Sequence, residues 1–165
     1  MKKILFTINH VYLLFGTSLY VGVLWALHFF WYPSWETITL ETVHDHFILP
    51  TEAATDFFTI VVPLMILTNI ILIVQEWKTK YRWSTGFALF CFLVALYIGE
   101  FHIFPINDII YSGVDSLERL RELFKQWMFL NDVRLVITTI MWLTLIYYFI
   151  SKGNLAQRFL NEDQN

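Results

Sequence analysis

The sequence has little charge, a single cysteine and few residues that break helices. Charged residues make up 15% of its 165 residues, and hydrophobic residues make up 57%, whereas soluble globular domains carry roughly 25% charged residues. This deficit argues against a soluble domain and is expected of a chain surrounded by lipid. A net charge of −3 gives no electrostatic reason to expect a nucleic-acid partner. Because Cys91 has no second cysteine to pair with, the cysteine content does not indicate a redox compartment.

Four long hydrophobic stretches predict four transmembrane helices. They cover about residues 8–31, 55–75, 84–104 and 132–151, and each has the ~20 residues that cross about 30 Å of hydrocarbon as a helix. The first stretch exceeds the ~7–15 apolar residues of a secretory signal, so we expect it to be retained as a span. The sequence therefore predicts one all-α membrane domain, a four-helix bundle over residues 1–165, with the lipid bilayer as its main partner.

Basic residues are distributed unevenly between the predicted loops. Both ends of the chain and the loop 76–83 together hold seven of the eleven lysine and arginine residues, whereas the loop 32–54 holds none. Cytoplasmic loops of membrane proteins carry the excess of basic residues. We therefore predict that both termini are cytoplasmic, that the loops 32–54 and 105–131 face outward, and that the membrane is the bacterial inner (plasma) membrane.

The longer outer loop, residues 105–131, contains a helical pattern of its own. Leucines and Phe124 recur at helical spacing after Ser116, a residue type that favours helix N-termini. Two interpretations remain open, an interfacial or re-entrant helix that leads into the fourth span and an ordinary connecting helix.

Ionisable and polar residues collect at the predicted outer end of all four spans. Glu52 and Asp56 are four residues apart at the start of the second span, so their carboxylates share one helical face. Charged residues inside spans are costly and usually face the bundle interior. We therefore predict a polar pocket at this end. Its candidate residues are His28, Glu52, Asp56, Glu100, His102, Trp127, Asn131 and Arg134.

Several kinds of ligand suit such a pocket. Carboxylates mixed with imidazoles suit non-haem iron, manganese, zinc or copper, and a metal would be expected on His28 or His102 with Glu52, Asp56 or Glu100. A haem or a polar organic substrate is also compatible with these residues.

A purely structural interpretation of the same residues also remains open. In it, Arg134 forms an ion pair with Glu100 or Asp56, and the histidines lie in water at the membrane interface. His44 and His46 form a single His-x-His pair in the first loop, which is a weak indication of copper or zinc, and we expect both to be exposed.

Two stretches of the sequence resemble the anthrone-oxygenase-like family of small four-helix membrane proteins. Residues 104–110 (FPINDII) match the Pro-x-Asn turn that follows the third span in that family, and residues 127–134 (WMFLNDVR) match its Trp with an Arg seven positions later. The matching residues are Asn107, Trp127, Asn131 and Arg134. The resemblance implies a membrane oxygenase that inserts oxygen into an activated aromatic ketone, and Asn107 and Trp127 are the candidate cofactor-binding residues.

Elementary chemistry, rather than the family motif, assigns roles to individual residues in such a reaction. Arg134 and Asn131 would stabilise an enolate-like oxyanion, and Glu52, Asp56 or His102 would act as general base. Such chemistry can proceed without metal or flavin if a base forms the substrate carbanion, so cofactor-free, non-haem metal and haem mechanisms all stay open.

Two other classes of function compete with this oxidoreductase. A transporter of small molecules or ions, or an accessory subunit of a membrane complex, could use the same polar residues for binding. A scaffold protein could use the loop 105–131 to dock a protein partner. A four-helix transporter would be expected to form oligomers, because four helices rarely enclose a complete pathway.

Overall fold

The computed structural model describes residues 2–153 and shows four long helical segments. Within this range the structure contains no strand, so the predicted all-α bundle is confirmed. The segments consist of α1 (Lys2–Ala26), π1 (Leu27–Trp31) and α2 (Tyr32–Trp35); π2 (His44–Ile48) and α3 (Leu49–Glu76); α4 (Arg82–Ile98), π3 (Gly99–Ile103) and α5 (Phe104–Tyr111); and α6 (Leu117–Lys152).

Each predicted span lies inside one of these segments, but the segments are longer than the spans. All four segments are long and apolar enough to cross a membrane, over Ile4–Trp35, His44–Glu76, Arg82–Tyr111 and Leu117–Lys152. At 1.5 Å per residue the 36 residues of α6 extend for about 54 Å, against ~30 Å of hydrocarbon. The helices therefore project beyond the membrane core.

The predicted loop 105–131 is mostly helical. Its first part is α5, and its second part is the beginning of α6, which runs into the fourth span without a break. The side-chain oxygen of Ser116 accepts a hydrogen bond from the backbone N–H of Arg119 at 3.2 Å, so Ser116 caps the N-terminus of α6.

The helices form a closed ring in which α1 packs on α3 and α6, and α4 packs on α3 and α6. Their interior contains two separate hydrophobic clusters. The bundle core fills the half near the 76–82 loop, and it includes Leu13, Met65, Phe92, Met141, Leu145 and Tyr148. The second cluster, which we call the aromatic cap, comprises Trp35, Ile38, Phe47, Ile103, Ile106, Ile110, Leu120, Leu123, Phe124 and Trp127.

The aromatic cap covers the end of the bundle where three helices change from α to π geometry. We call this the proline end, because Pro33, Pro50 and Pro105 each follow a π segment by two residues. A proline lacks the backbone N–H and its ring clashes with the carbonyl four residues earlier. In each case the residue just before the proline donates instead to the carbonyl five residues earlier, and this is the hydrogen bond that defines a π turn.

The opposite end, which we call the loop end, holds a buried carboxylate. Glu76 is 1% exposed and pairs with Lys152 of α6. It also accepts hydrogen bonds from the Tyr148 hydroxyl at 2.8 Å and from the Thr79 hydroxyl at 2.7 Å. Nearby, His10 of α1 lies 3.2 Å from the side-chain oxygen of Gln75. These contacts place the described ends of α1 and α6 on the same side of the bundle.

The sidedness of the bundle remains a prediction from its basic residues. One of the counted residues, Arg158, lies outside the described range. Single cysteines in a Cys91→Ala background test the prediction, since Glu41, Lys80 and Ser112 are all exposed. We expect Glu41→Cys and Ser112→Cys to react with a membrane-impermeant maleimide in intact cells, and Lys80→Cys to react only after permeabilisation. The reverse pattern would show that the proline end is cytoplasmic.

Candidate functional site

A cavity of about 390 Å³ lies inside the proline end of the bundle. All four helical segments contribute to its wall. Its deep end, towards the bundle core, is lined by Tyr20, Val62, Leu96 and Arg134, and its shallow end is lined by residues of the aromatic cap, including Trp35 and Trp127. The lining is mostly apolar, with a small number of polar side chains among its residues.

Five of the nine predicted site residues line this cavity. They are Glu100, Asn107, Trp127, Asn131 and Arg134. The other four predicted residues, His28, Glu52, Asp56 and His102, lie outside it. The structure thus brings together the residues of α5 and α6 that carry the family resemblance, and it adds one of the three predicted carboxylates.

Arg134 is held at the deep end by neutral partners. Its guanidinium donates one hydrogen bond to the side-chain oxygen of Asn131 at 2.8 Å and another to the Tyr20 hydroxyl of α1. The side-chain amide of Asn131 in turn donates to the backbone carbonyl of Trp127 at 3.0 Å. This chain of hydrogen bonds fixes the guanidinium between α6 and α1.

The prediction that Arg134 pairs with Glu100 or Asp56 is wrong. Among residues 2–153, no carboxylate forms an ion pair with Arg134. Its Nε atom is buried and, within the same residues, has no hydrogen-bond partner. The guanidinium packs over Gly99, where a methyl group would lie 3.6 Å from Cζ. A guanidinium that lines a largely apolar cavity, with no carboxylate partner among the described residues, can bind an oxygen atom of a ligand.

A hydrogen bond between Asn107 and Trp127 joins α5 to α6 in the wall of the cavity. The indole N–H of Trp127 donates to the side-chain oxygen of Asn107 at 2.8 Å, and both residues are at least 94% buried. The Trp127 ring also packs against Trp35 and Phe47, with centroid distances of 5.1 Å and 5.4 Å. Trp127 therefore forms part of the cavity wall, and its polar atom is already satisfied by the protein.

The carboxylates of Glu52 and Asp56 share a face of α3, as predicted, but that face is exposed to the surroundings of the bundle. The inward face of the same helix carries Thr51, Thr55 and Phe58, all of which line the cavity. The spacing of the two residues predicted that their carboxylates share a helical face, but it did not predict the direction in which that face points. Neither is placed to act as a base on a molecule inside the cavity.

The histidines do not converge on a metal site. His28 Nδ1 lies 2.8 Å from a carboxylate oxygen of Asp132, and both side chains are about 40% exposed. His102 is exposed, and its ring packs on the edge of Tyr97. Within the described part of the chain, no three His, Cys, Asp or Glu side chains are grouped so that they could hold a metal. The predicted ligand set of His28 or His102 with carboxylates is therefore not assembled.

Sequence reasoning missed Tyr20 and His46 as cavity residues. His46 is exposed, as predicted for the first loop, yet it also lines the cavity, because π2 continues α3 beyond the predicted span. Tyr20 lies near the centre of the first apolar stretch, but Tyr12, Thr17 and Ser18 lie in the same stretch, so the sequence does not single it out. The recurrence of proline after each π segment was a usable signal.

Comparison of the chain with protein-family models, with curated proteins and with solved structures finds no match.

Proposed function

We propose that the cavity binds a small, largely apolar organic molecule whose carbonyl or anionic oxygen is held by Arg134. The observation that carries this proposal is the guanidinium of Arg134 in the wall of a largely apolar cavity, where its hydrogen-bond partners among the described residues are the neutral side chains of Asn131 and Tyr20. Hydrogen bonds from a charged donor to a carbonyl or anionic oxygen are among the strong ones in proteins. The cavity volume falls within the ~300–1,000 Å³ of small-molecule sites.

The reaction that fits this arrangement best is oxygenation of an activated aromatic ketone. A cation next to a ketone oxygen stabilises the enolate that forms when a proton leaves the neighbouring ring system. The resulting carbanion can react with O₂, and loss of water then converts the CH₂ group into a second carbonyl, so that CH₂ and O₂ become C=O and H₂O. The resemblance of the stretches 104–110 and 127–134 to anthrone-oxygenase-like proteins supports the same chemistry.

Two side chains in the cavity can act as the base in this reaction. Glu100 and His46 both line the cavity, and both are exposed on the bundle. They replace Glu52, Asp56 and His102 as our candidates for this role.

The packing of the other half of the bundle favours a binding site over a transport pathway. Leu13, Met65, Met141 and Leu145 are all 0% exposed and fill the bundle between the cavity and the loop end. A conduit would need to pass through this packed layer, whereas a ligand that reacts at Arg134 does not.

The purified full-length protein with anthrone as the test ligand provides the experiment. We expect anthrone to quench tryptophan fluorescence and to support oxygen uptake. Arg134→Lys should weaken binding by about 10- to 100-fold, because hydrogen bonds to a charged group contribute about 1.5–3 kcal/mol and lysine lacks the planar fork of donors.

Arg121→Lys is the matched control, since Arg121 is an exposed arginine of the same helix. It should bind anthrone as the wild type does. A folded Arg134→Lys protein with wild-type binding and oxygen uptake would contradict the proposal, and so would a wild-type protein that does not bind anthrone.

A further inference from the structure

Residues 77–83 (WKTKYRW), which we call the basic loop, connect α3 to α4 at the loop end of the bundle. Their three basic side chains, Lys78, Lys80 and Arg82, are all exposed. Among residues 2–153, none of the three forms an ion pair with a carboxylate. Their positive charges are therefore available to an anionic group from outside this part of the chain.

The acidic residue next to the basic loop does not offset these charges. Glu76 ends α3 and is 1% exposed. Its carboxylate pairs with Lys152 of α6 and accepts hydrogen bonds from Tyr148 and Thr79. Because Lys152 already neutralises Glu76 inside the bundle, the outer surface of the basic loop carries three positive charges without a negative one.

The basic loop lies where the lipid-facing surfaces of two helices end. Exposed apolar residues recur three or four positions apart along each helix, which places them on one helical face. They are Leu67, Ile70, Val74 and Trp77 at the end of α3, and Trp83, Phe87 and Phe90 at the start of α4. Each series ends in a tryptophan, a residue enriched at the membrane–water boundary.

This position puts the cations at the level of the lipid headgroups. Lys78 directly follows Trp77, and Arg82 directly precedes Trp83. Headgroups occupy roughly 5–7 Å outside the hydrocarbon at each face of a bilayer. The guanidinium carbon of Arg82 lies 5.1 Å from the ring centre of Trp83, so this cation–π contact keeps the charge beside a ring of the boundary.

We infer that the basic loop binds the headgroup of an anionic phospholipid. Clusters of Lys and Arg next to a membrane span attract anionic lipids. A lipid is the occupant that fits, because the basic loop continues the apolar surfaces of α3 and α4. Acyl chains that lie on those surfaces place their phosphate at the level of the three cations. This site is separate from the cavity, which lies at the proline end.

The test measures the binding of phosphatidylglycerol and phosphatidylcholine with the same acyl chains to the full-length protein in neutral detergent, by native mass spectrometry. Each basic residue near an anionic surface strengthens binding by about 1 kcal/mol, which is about fivefold. We expect the wild type to prefer phosphatidylglycerol by about tenfold or more. The triple variant Lys78→Gln, Lys80→Gln and Arg82→Gln should bind the two lipids within about twofold of each other.

The matched control removes three positive charges at the proline end, in the triple variant Arg119→Gln, Arg121→Gln and Lys125→Gln. These residues are exposed on α6 among acidic ones, and Arg119 pairs with Glu122. This variant should keep the preference for phosphatidylglycerol. An equal loss of preference in both triple variants would show an effect of net charge alone and would overturn the inference.

Two measurements on the wild type also decide the inference, whether or not the variants fold. The preference for phosphatidylglycerol should decrease as salt is added, because ions screen exposed charges, and excess inorganic phosphate should not displace the lipid. A preference that salt leaves unchanged, or displacement by phosphate, would contradict a lipid site of this kind. A wild type that binds both lipids equally overturns the inference, and if it then binds a polyglutamate peptide, the surface fits an acidic protein segment instead.

Discussion

Replacement of Trp127 by alanine is expected to lower the free energy of unfolding by about 4 kcal/mol. Trp127 is 4% exposed and lies at the centre of the aromatic cap, in contact with the rings of Trp35 and Phe47. Removing a buried tryptophan ring costs about 3–5 kcal/mol because a void is left behind. The change also leaves the side-chain oxygen of Asn107 without its donor, and an unsatisfied buried acceptor adds to the cost.

Two further variants separate packing from hydrogen bonding. Trp127→Phe keeps most of the ring and should lower the free energy of unfolding by about 1–2 kcal/mol, mainly through the lost bond to Asn107. Trp83→Ala is the control, since Trp83 is 73% exposed and should have little effect. Unfolding with sodium dodecyl sulfate in mixed micelles measures all three. Equal stability of the Trp127→Ala and Trp83→Ala proteins would show that the aromatic cap is not a stabilising element.

The second large effect is expected from Lys152→Met at the loop end. Glu76 would keep its hydrogen bonds from Tyr148 and Thr79 but lose its only cationic partner among residues 2–153. Breaking a fully buried ion pair costs about 3–5 kcal/mol. Because Lys152 is 42% exposed, we expect a smaller loss of about 2–3 kcal/mol in the free energy of unfolding.

A double-mutant cycle tests the cause of this loss. Glu76→Gln removes the charge that Lys152→Met leaves uncompensated, so the double variant should be more stable than Lys152→Met alone. Lys125→Met is the control, because Lys125 is an exposed lysine of the same helix, and it should change stability by less than 0.5 kcal/mol or so. A double variant less stable than Lys152→Met would contradict a role for the buried charge.

The fold could be predicted because each span is a long hydrophobic stretch of the sequence. The limits of the helices could not be predicted, because α5 and the first turns of α6 contain a mixture of polar and apolar residues. The apolar ones become buried only when they form the aromatic cap. A hydropathy pattern indicates which residues are surrounded by lipid. It does not indicate which helices extend beyond the lipid and pack on one another there.

The site residues could be predicted where their spacing in the sequence placed them on one face of a helix. Trp127, Asn131 and Arg134 lie at helical spacing on α6, and all three line the cavity. The prediction failed for Glu52 and Asp56 because α3 is apolar around most of its circumference. In such a helix, periodicity does not reveal which side faces the bundle. It also failed for the ion pair of Arg134, since the neutral partners Asn131 and Tyr20 give no charge pattern in the sequence.

The three π segments have a consequence for how side chains are placed beyond them. A π turn accommodates one residue more than an α turn, and one residue corresponds to a rotation of about 100° in an α-helix. Each segment therefore acts as a single-residue insertion that turns the rest of its helix by more than a quarter of a circle. In a continuous α-helix of the same sequence, Trp35 and Asn107 would point about 100° away from the directions that let them line the cavity. The π geometry of π1 and π3 thus helps to set which residues beyond each segment face the cavity.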